Sequence, residues 1–201
     1  MSTLVGWIRP RVRTAALVAL TTAFLASPAA AAPITFSSPL APEVPGATGS
    51  GSVTVVYDDV ARTLLIDASW SGLSGTTTVA HIHCCTAVPL AGTVGVAVTP
   101  GTLPGFPVGV SAGSYDSPVL DLSATTTYTP GFLNNFGGGT AAGAEAALLA
   151  GMLNGRAYFN VHTTAFPAGE IRGFLAPVPE PGTLTLLAAA MAIGVLRRRR
   201  D

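Results

Sequence analysis

Residues 52–59, SVTVVYDD, and residues 63–70, TLLIDASW, decide the fold class of this chain. Apolar and polar side chains alternate along both stretches, which is the pattern of a β-strand with one buried face. Residues 59–62 lie between them and predict a turn. These two strands and their turn indicate a β protein.

Further alternating runs continue this pattern along the chain. They predict strands over residues 77–84, 117–123, 156–163 and 169–176, with a short strand over 94–98 inside a long loop, 86–115. Residues 32–50 contain four prolines and are expected to be an extended lead-in. The sequence therefore predicts an all-β sandwich or barrel over residues 51–177.

One segment, TAAGAEAALLAGMLNG over residues 140–155, has a helical pattern. Thr140 is the expected N-cap, and Ala, Glu, Leu and Met favour the helix. The pair Asn154 and Gly155 supplies the stop. We therefore expect one short helix in the β domain.

The N-terminal end has the composition of a secretory signal peptide. Arg9, Arg11 and Arg13 precede an apolar run over residues 14–26, and SPAAAAP follows as a cleavage context. A membrane-spanning helix is the alternative, but the apolar run is too short for one. We expect residues 1–31 to form a signal helix that is removed after export.

The C-terminal end, residues 178–201, combines three elements in order. They are a Pro-Glu-Pro triplet, an apolar helix over residues 182–196, and a basic cluster: Pro179, Glu180 and Pro181, then Arg197, Arg198, Arg199 and Arg200. The apolar helix would span roughly 22 Å, which is short of a hydrocarbon core of about 30 Å and makes a marginal membrane anchor. A plain tail anchor is one interpretation.

This end also resembles the PEP-CTERM sorting signal. The resemblance implies processing by an exosortase, a membrane protease of Gram-negative bacteria that make exopolysaccharide. It implies an inner-membrane-tethered precursor that is later released to the cell surface, outer envelope or extracellular matrix. In either interpretation, the chain contacts the membrane only through its terminal segments.

The charge of the exported region differs from the formal zero of the whole chain. Between residues 32 and 178 there are three arginines and eight carboxylates, which leaves a net charge of −5: Arg62, Arg156 and Arg172 against Glu43, Asp58, Asp59, Asp67, Asp116, Asp121, Glu145 and Glu170. An acidic, lysine-free domain argues against nucleic acid or anionic membrane surfaces as partners.

The late strands carry a second resemblance, to the chordin-type (CHRD) domain. The matching residues, in order, are Tyr158, Asn160, His162, Thr163, Phe166, Pro167, Gly169, Glu170, Ile171, Arg172 and Gly173. The chain departs from the family pattern at Ala168, where glycine is usual, and at Cys84 and Cys85, where small residues are frequent. The resemblance implies an immunoglobulin-like β domain and no known reaction.

Histidine placement suggests a metal site. Strand alternation puts His81 and His83 on one face, and puts His162 on the polar face of a later strand. If these strands are neighbours, three imidazoles converge on the outside of the sandwich and suit copper or zinc, with an open fourth position. The alternative is that the histidines form hydrogen bonds across strands, with His162 orienting the following turn.

Copper–zinc superoxide dismutase is also a β-sandwich with a His-x-His strand. This chain is similar there, and a superoxide-dismutase-like sandwich is one form of the predicted fold. With three histidines in all, the chain lacks a bridging imidazole and a second ligand set. A two-metal dismutase is therefore excluded, while a mononuclear copper or zinc site is not.

The adjacent Cys84 and Cys85 end the histidine strand. In an oxidising compartment, such a pair can form a vicinal disulfide. Free thiols, thiolate ligands for Cu(I) and an intermolecular bond are the alternatives. Of these, we expect the disulfide, because alternation points Cys84 away from His83.

Glu170 and Arg172 are expected on one face of a strand, where they would pair with Asp121 or Asp67 or cap the sheet. No Gly-x-Ser-x-Gly elbow, P-loop or Rossmann pattern occurs. The sequence therefore predicts a non-enzymatic β domain with a structural, adhesive or binding role, whose partners would include exopolysaccharide or other envelope components. A copper or zinc binding or redox module that uses the three histidines is the competing hypothesis.

Overall fold

The computed structural model describes residues 32–179 of the 201-residue chain. The predicted signal helix (residues 1–31) and the predicted apolar helix (residues 182–196) lie outside the described residues. Within residues 32–179, no helix is long and apolar enough to cross a membrane.

Ten strands form one curled sheet, and the neighbouring strands are antiparallel. The strands are β1 Ile34–Pro42, β2 Ser50–Asp58, β3 Thr63–Ser71, β4 Thr77–His83, β5 Val96–Val98, β6 Gly113–Asp116, β7 Leu120–Asp121, β8 Tyr158–Thr163, β9 Ile171–Phe174 and β10 Ala176–Pro177. Their order is β5-β4-β8-β9-β1-β2-β3-β6, with β10 beside β1 and β7 beside β3. The predicted all-β, sandwich-like fold is confirmed.

The hairpin of β2 and β3 follows the alternating pattern of its sequence. Val55 and Ile66 are register partners, and both are buried in the core. The Asp58 carboxylate accepts hydrogen bonds from the Val60 and Ala61 amides at 2.9 and 2.8 Å, which closes the turn. Side-chain capping of this kind explains why an aspartate begins the turn.

The expected lead-in over residues 32–50 is wrong for its first half. Residues 34–42 form β1, which pairs with β2 along its length and with β9 at Ala41 and Pro42. Phe36 and Leu40 of β1 are buried in the core. Their burial outweighs the prolines that argued against a strand, so the β domain begins before residue 51.

The long connection between β4 and β8 has more structure than its composition predicts. Two strands, β5 and β6, lie in residues 86–116, and the strand expected over residues 117–123 is reduced to β7. A helix that the sequence pattern did not reveal, α1 Pro130–Asn135, is capped by the Thr129 hydroxyl, which accepts from the Phe132 amide. Proline at its first position suits this helix start.

The predicted helix is present as α2, Ala141–Leu153. The Thr140 hydroxyl accepts from the Gly143 amide, and Asn154 is the C-cap. Gly155 follows with a φ of 62°, the left-handed conformation that favours glycine at this place. The expected start and stop of the helix are confirmed.

A single hydrophobic core joins both halves of the sheet and the face of α2. The strands contribute alternate residues such as Val55, Ile82 and Phe159, and α2 contributes Leu148 and Met152, each no more than 2% exposed. Because β4 and β8 turn their apolar residues toward this core, their other faces are left for polar side chains. That opposite face carries the histidines.

Candidate metal centre

The structure brings the three histidines together. Strands β4 and β8 are antiparallel neighbours, with His81 opposite Asn160 and His162 opposite Val79. The imidazole centroids are 5.3 Å apart for His81 and His162, 5.8 Å for His81 and His83, and 6.0 Å for His83 and His162. Because β4 and β8 are neighbours, the three imidazoles converge as the sequence predicted.

Each imidazole is held by one backbone carbonyl. His81 Nε2 lies 2.8 Å from the Gly101 oxygen, His83 Nδ1 lies 2.7 Å from the Val94 oxygen, and His162 Nδ1 lies 2.9 Å from a carbonyl oxygen in the turn between β8 and β9. A carbonyl only accepts hydrogen bonds, so each of these nitrogens is the protonated one. The second nitrogen of each neutral ring then carries a free lone pair.

These second nitrogens are buried and have no hydrogen-bond partner among the described residues. They are Nδ1 of His81, Nε2 of His83 and Nε2 of His162. One ligand nitrogen from each histidine lies within 4.8 Å of the others. Three acceptors therefore face one another without a donor, an arrangement that is costly unless a cation fills it.

Burial keeps two of the imidazoles neutral. Desolvation lowers the pKa of His83 to about 4, and it also lowers the pKa of His81. Hydrogen bonds to the Val94 and Gly101 carbonyls oppose this effect but do not outweigh it. At neutral pH both rings are in the form that binds metal ions.

The histidines lie on the face of the sheet turned away from the core, as expected, but that face is covered and not open to solvent. His81 and His83 are only 6% and 8% exposed, and His162 is half-buried. The chain between β4 and β6 covers them and supplies the Val94 and Gly101 carbonyls. The sequence pattern of a strand shows which face is polar but not what covers that face. The covering segment between β4 and β6 is irregular, so no periodicity in the sequence reveals it.

The donor set fits a transition-metal ion. In a tetrahedral site with metal–nitrogen bonds of about 2.0–2.1 Å, ligand nitrogens are about 3.3 Å apart, so the nitrogen pairs, which lie within 4.8 Å of one another, would close by up to about 1.5 Å. Carbonyl partners on the far nitrogens are the usual means of orienting ligand histidines. Three imidazoles leave a fourth coordination position open.

Around the histidines lies a polar layer from β8, β9 and the end of β1. The Tyr158 ring stacks on His83 with centroids 4.7 Å apart and planes at 3°. The Arg172 guanidinium lies 5.0 Å from the Tyr158 centroid on this layer and donates to Glu43 at 3.1 Å. Asn160 also donates to Glu43. Through the stacked Tyr158 ring, this layer restricts the orientation of the His83 imidazole.

Glu43 is a residue that the sequence did not mark. It lies just after β1, in the segment expected to be a lead-in, and no motif surrounds it. Burial raises the pKa of Glu43, and the charge of Arg172 opposes this rise. The expected pairing of Arg172 with Asp67 or Asp121 is wrong, because Glu43 takes that place.

Glu170 is fully buried. Its carboxylate accepts from the Ser74 and Gly75 amides and, at 2.6 Å, from the Thr163 hydroxyl. The Thr163 hydroxyl in turn accepts from the Phe166 amide. These bonds anchor the turn between β8 and β9, whose Pro167 carbonyl orients His162.

Two glycines of the same block allow close packing. Gly169 has a φ of 130°, and a side chain there would meet Glu43 and Asn160. A side chain at Gly173 would meet the backbone of β1 at Pro39. The absence of a side chain at Gly169 leaves room for Glu43 and Asn160, and its absence at Gly173 allows β1 to pack closely against β9.

The cysteines do not join the histidines. The Cys84 and Cys85 sulfurs lie within bonding distance of each other and contact the Ala147 carbonyl of α2, on the opposite face of β4 from His83. Shared ligation of one metal by histidine and cysteine is therefore wrong for this geometry. The disulfide stays a prediction.

Comparison with known proteins agrees with this architecture. The CHRD domain matches residues 36–175, so the chain belongs to the CHRD family. The PEP-CTERM protein-sorting motif matches residues 177–200, which implies export, processing by an exosortase-type enzyme and a Gram-negative bacterial source. Of the sorting residues, Glu180, Pro181 and the arginines at 197–200 lie outside the described residues. No curated protein and no solved structure matches the chain.

Proposed function

We propose that this exported CHRD domain binds one zinc or copper ion through His81, His83 and His162. The observation that carries the proposal is the convergence of three buried ring nitrogens that have no hydrogen-bond partner within residues 32–179. Each histidine is also held by a backbone carbonyl on its other nitrogen. The alternative role for these residues is simple hydrogen bonding across strands. That role does not explain why His81 Nδ1, His83 Nε2 and His162 Nε2 are buried without a hydrogen-bond partner in the described residues.

The proposed role is binding without turnover. The whole chain has three histidines, which is too few for a bridging imidazole and a second metal. The carboxylate in the surrounding polar layer, Glu43, is already bonded to Arg172 and Asn160 and is not free to act as a general base. We therefore propose a metal-holding domain in the cell envelope or extracellular matrix, where exopolysaccharide would be a neighbour.

Export supports a disulfide between Cys84 and Cys85 in the working protein. The PEP-CTERM motif implies passage through an oxidising compartment. The two sulfurs face α2, where Gly151 leaves room for them. Intact mass after alkylation of the native chain tests the pairing, since two alkylated thiols would exclude it.

Metal content of the chain isolated from its native envelope tests the proposed function. We expect about one equivalent of zinc or copper in the parent chain and a loss of it in His162→Ala and in the double variant of His81→Ala and His83→Ala. Tyr158→Phe is the matched control, because it keeps the ring that stacks on His83. A parent without metal, or a double variant with unchanged metal, contradicts the proposal.

The same sample separates binding from redox chemistry. If the bound ion is copper, its EPR signal should disappear with ascorbate and should not return at a catalytic rate with peroxide or superoxide. Rapid cycling would instead favour the redox module. Zinc in the parent chain would exclude redox chemistry at the metal.

A further inference from the structure

A second cavity lies on the other face of β4 from the histidines. It has a volume of about 630 Å³ and opens between the segment after β4 and the second half of α2. The apolar lining comes from the segment after β4, from α2 and from the residue after α1: Cys85, Ala87, Pro89, Ala147, Ala150 and Phe136. This volume is within the range of small-molecule binding sites.

The walls of this cavity are mostly apolar and partly exposed, and Thr86, Asn154 and Arg156 are their polar residues. Small side chains of α2 leave the space open, and Gly151 lets the helix approach the Cys84 and Cys85 sulfurs. Phe136 is 43% exposed although it is a large aromatic residue. In the adjoining loop, Val88 and Leu90 are 59% and 65% exposed. Exposed apolar residues around a concave site favour an apolar ligand.

One cation lines the cavity without a carboxylate partner. Among residues 32–179 there are three arginines: Arg62 pairs with Glu145, Arg172 pairs with Glu43, and Arg156 has no ion pair. No acidic side chain lines the cavity. An unpaired guanidinium beside an apolar wall is complementary to a carboxylate that carries a hydrocarbon chain.

We propose that this cavity binds a single-chain carboxylic acid, such as a medium-chain fatty acid. The hydrocarbon chain lies along Phe136, Ala150 and the Cys85 wall, and the carboxylate accepts hydrogen bonds from Arg156. This binding site does not involve the metal centre, because the Cys85 sulfur contacts the Ala147 carbonyl of α2 and none of the three histidines lines the cavity. Its test is therefore independent of the metal proposal.

Photolabelling in envelope vesicles tests the site in the full chain. The probe is decanoic acid with a diazirine at its far end, and the comparison probe is the corresponding decanol. After irradiation, the chain is purified and labelled peptides are quantified by mass spectrometry. The variants are Arg156→Gln, Ala150→Phe to fill the cavity, and Ala146→Phe as a matched control. Ala146 lies at an exposed position of α2 that does not line the cavity.

We expect the acid to label residues 84–91 and α2 about tenfold more than the alcohol does, a difference of about 1.4 kcal/mol. Arg156→Gln should remove this preference, and Ala150→Phe should remove labelling by both probes, whereas Ala146→Phe should label like the parent. Equal labelling by acid and alcohol in the parent chain overturns the proposal. So does labelling of these peptides that survives in Ala150→Phe, with circular dichroism confirming that each variant is folded.

Discussion

Replacing Glu170 by glutamine tests how the domain holds the turn that orients His162. The buried Glu170 carboxylate accepts three hydrogen bonds, from the Ser74 amide, the Gly75 amide and the Thr163 hydroxyl. Burial alone would raise the pKa of Glu170, but these bonds outweigh it and hold the pKa below its ordinary value of 4.5. The carboxylate is therefore ionised in the folded domain at neutral pH.

The size of the effect follows from the number of acceptors. Glutamine has the same shape but one acceptor oxygen in place of two, so its NH₂ group faces the donors on the Oε2 side, Gly75 and Thr163. Each hydrogen bond to a charged group contributes about 1.5–3 kcal/mol. We expect Glu170→Gln to lower the free energy of unfolding by about 3 kcal/mol, and Thr163→Val to lower it by about half as much.

Denaturant unfolding of the chain produced from residue 32 onward measures this change. Trp70 is the only tryptophan in residues 32–179 and is buried, so its fluorescence reports unfolding. Asp59→Asn, at an exposed turn position, is the control and should change stability by less than about 0.5 kcal/mol. A change below about 1 kcal/mol in Glu170→Gln would refute the reasoning.

The pH dependence of this variant gives a second check. Because the pKa of Glu170 is lower in the folded state, its contribution is present above about pH 4.5 and is lost as the pH falls through the folded pKa. The parent should therefore lose more stability on acidification below pH 4.5 than Glu170→Gln does. Equal losses in the two proteins would show that the carboxylate is not the group responsible.

Three further predictions concern single residues. The free energy of unfolding of the metal-free domain should fall by up to roughly 3 kcal/mol as the pH falls from about 6.5 to about 4. The reason is that His83 binds a proton in this range in the unfolded chain but not in the folded domain. His83→Gln should reduce this loss, as measured by denaturant titrations. Thr140→Ala removes the cap on the Gly143 amide and should cost about 1 kcal/mol in the same assay, whereas Thr140→Ser should cost little. Gly151→Val, whose side chain would meet the Cys84 sulfur, should lower the melting temperature far more than Ala146→Val on the exposed side of the same helix.

Sequence patterns predicted the parts of the fold that repeat with a short period. The alternation in β2 and β3 and the capped helix α2 lie where their patterns place them. The first strand, β1, was missed because its prolines obscure the alternation of Phe36 and Leu40, and only pairing with β2 and β9 makes the strand. The local strand propensity of a segment does not reveal which distant strands it will pair with.

The candidate site was predictable in its ligands but not in its surroundings. Alternation along β4 and β8 was enough to put His81, His83 and His162 on matching faces. Glu43 and the Val94 and Gly101 carbonyls come from segments without periodicity, far apart in the chain. For this reason the sequence predicted an exposed set of histidines, whereas the structure has a buried one.

Burial changes what these histidines can do. On an open surface, three imidazoles can turn to water and need no ligand, so a polar strand face carries little evidence of a site. Here His83 is fixed by the Val94 carbonyl on one nitrogen and by the Tyr158 ring on its face, and no group in the described part of the chain bonds its inner nitrogen. The segment after β4 thus contributes to both sites: its Val94 carbonyl orients His83, and its Cys85 lines the cavity beside α2. A change in that segment should therefore affect metal and fatty-acid binding together, whereas changes at His162 or Ala150 should affect one alone.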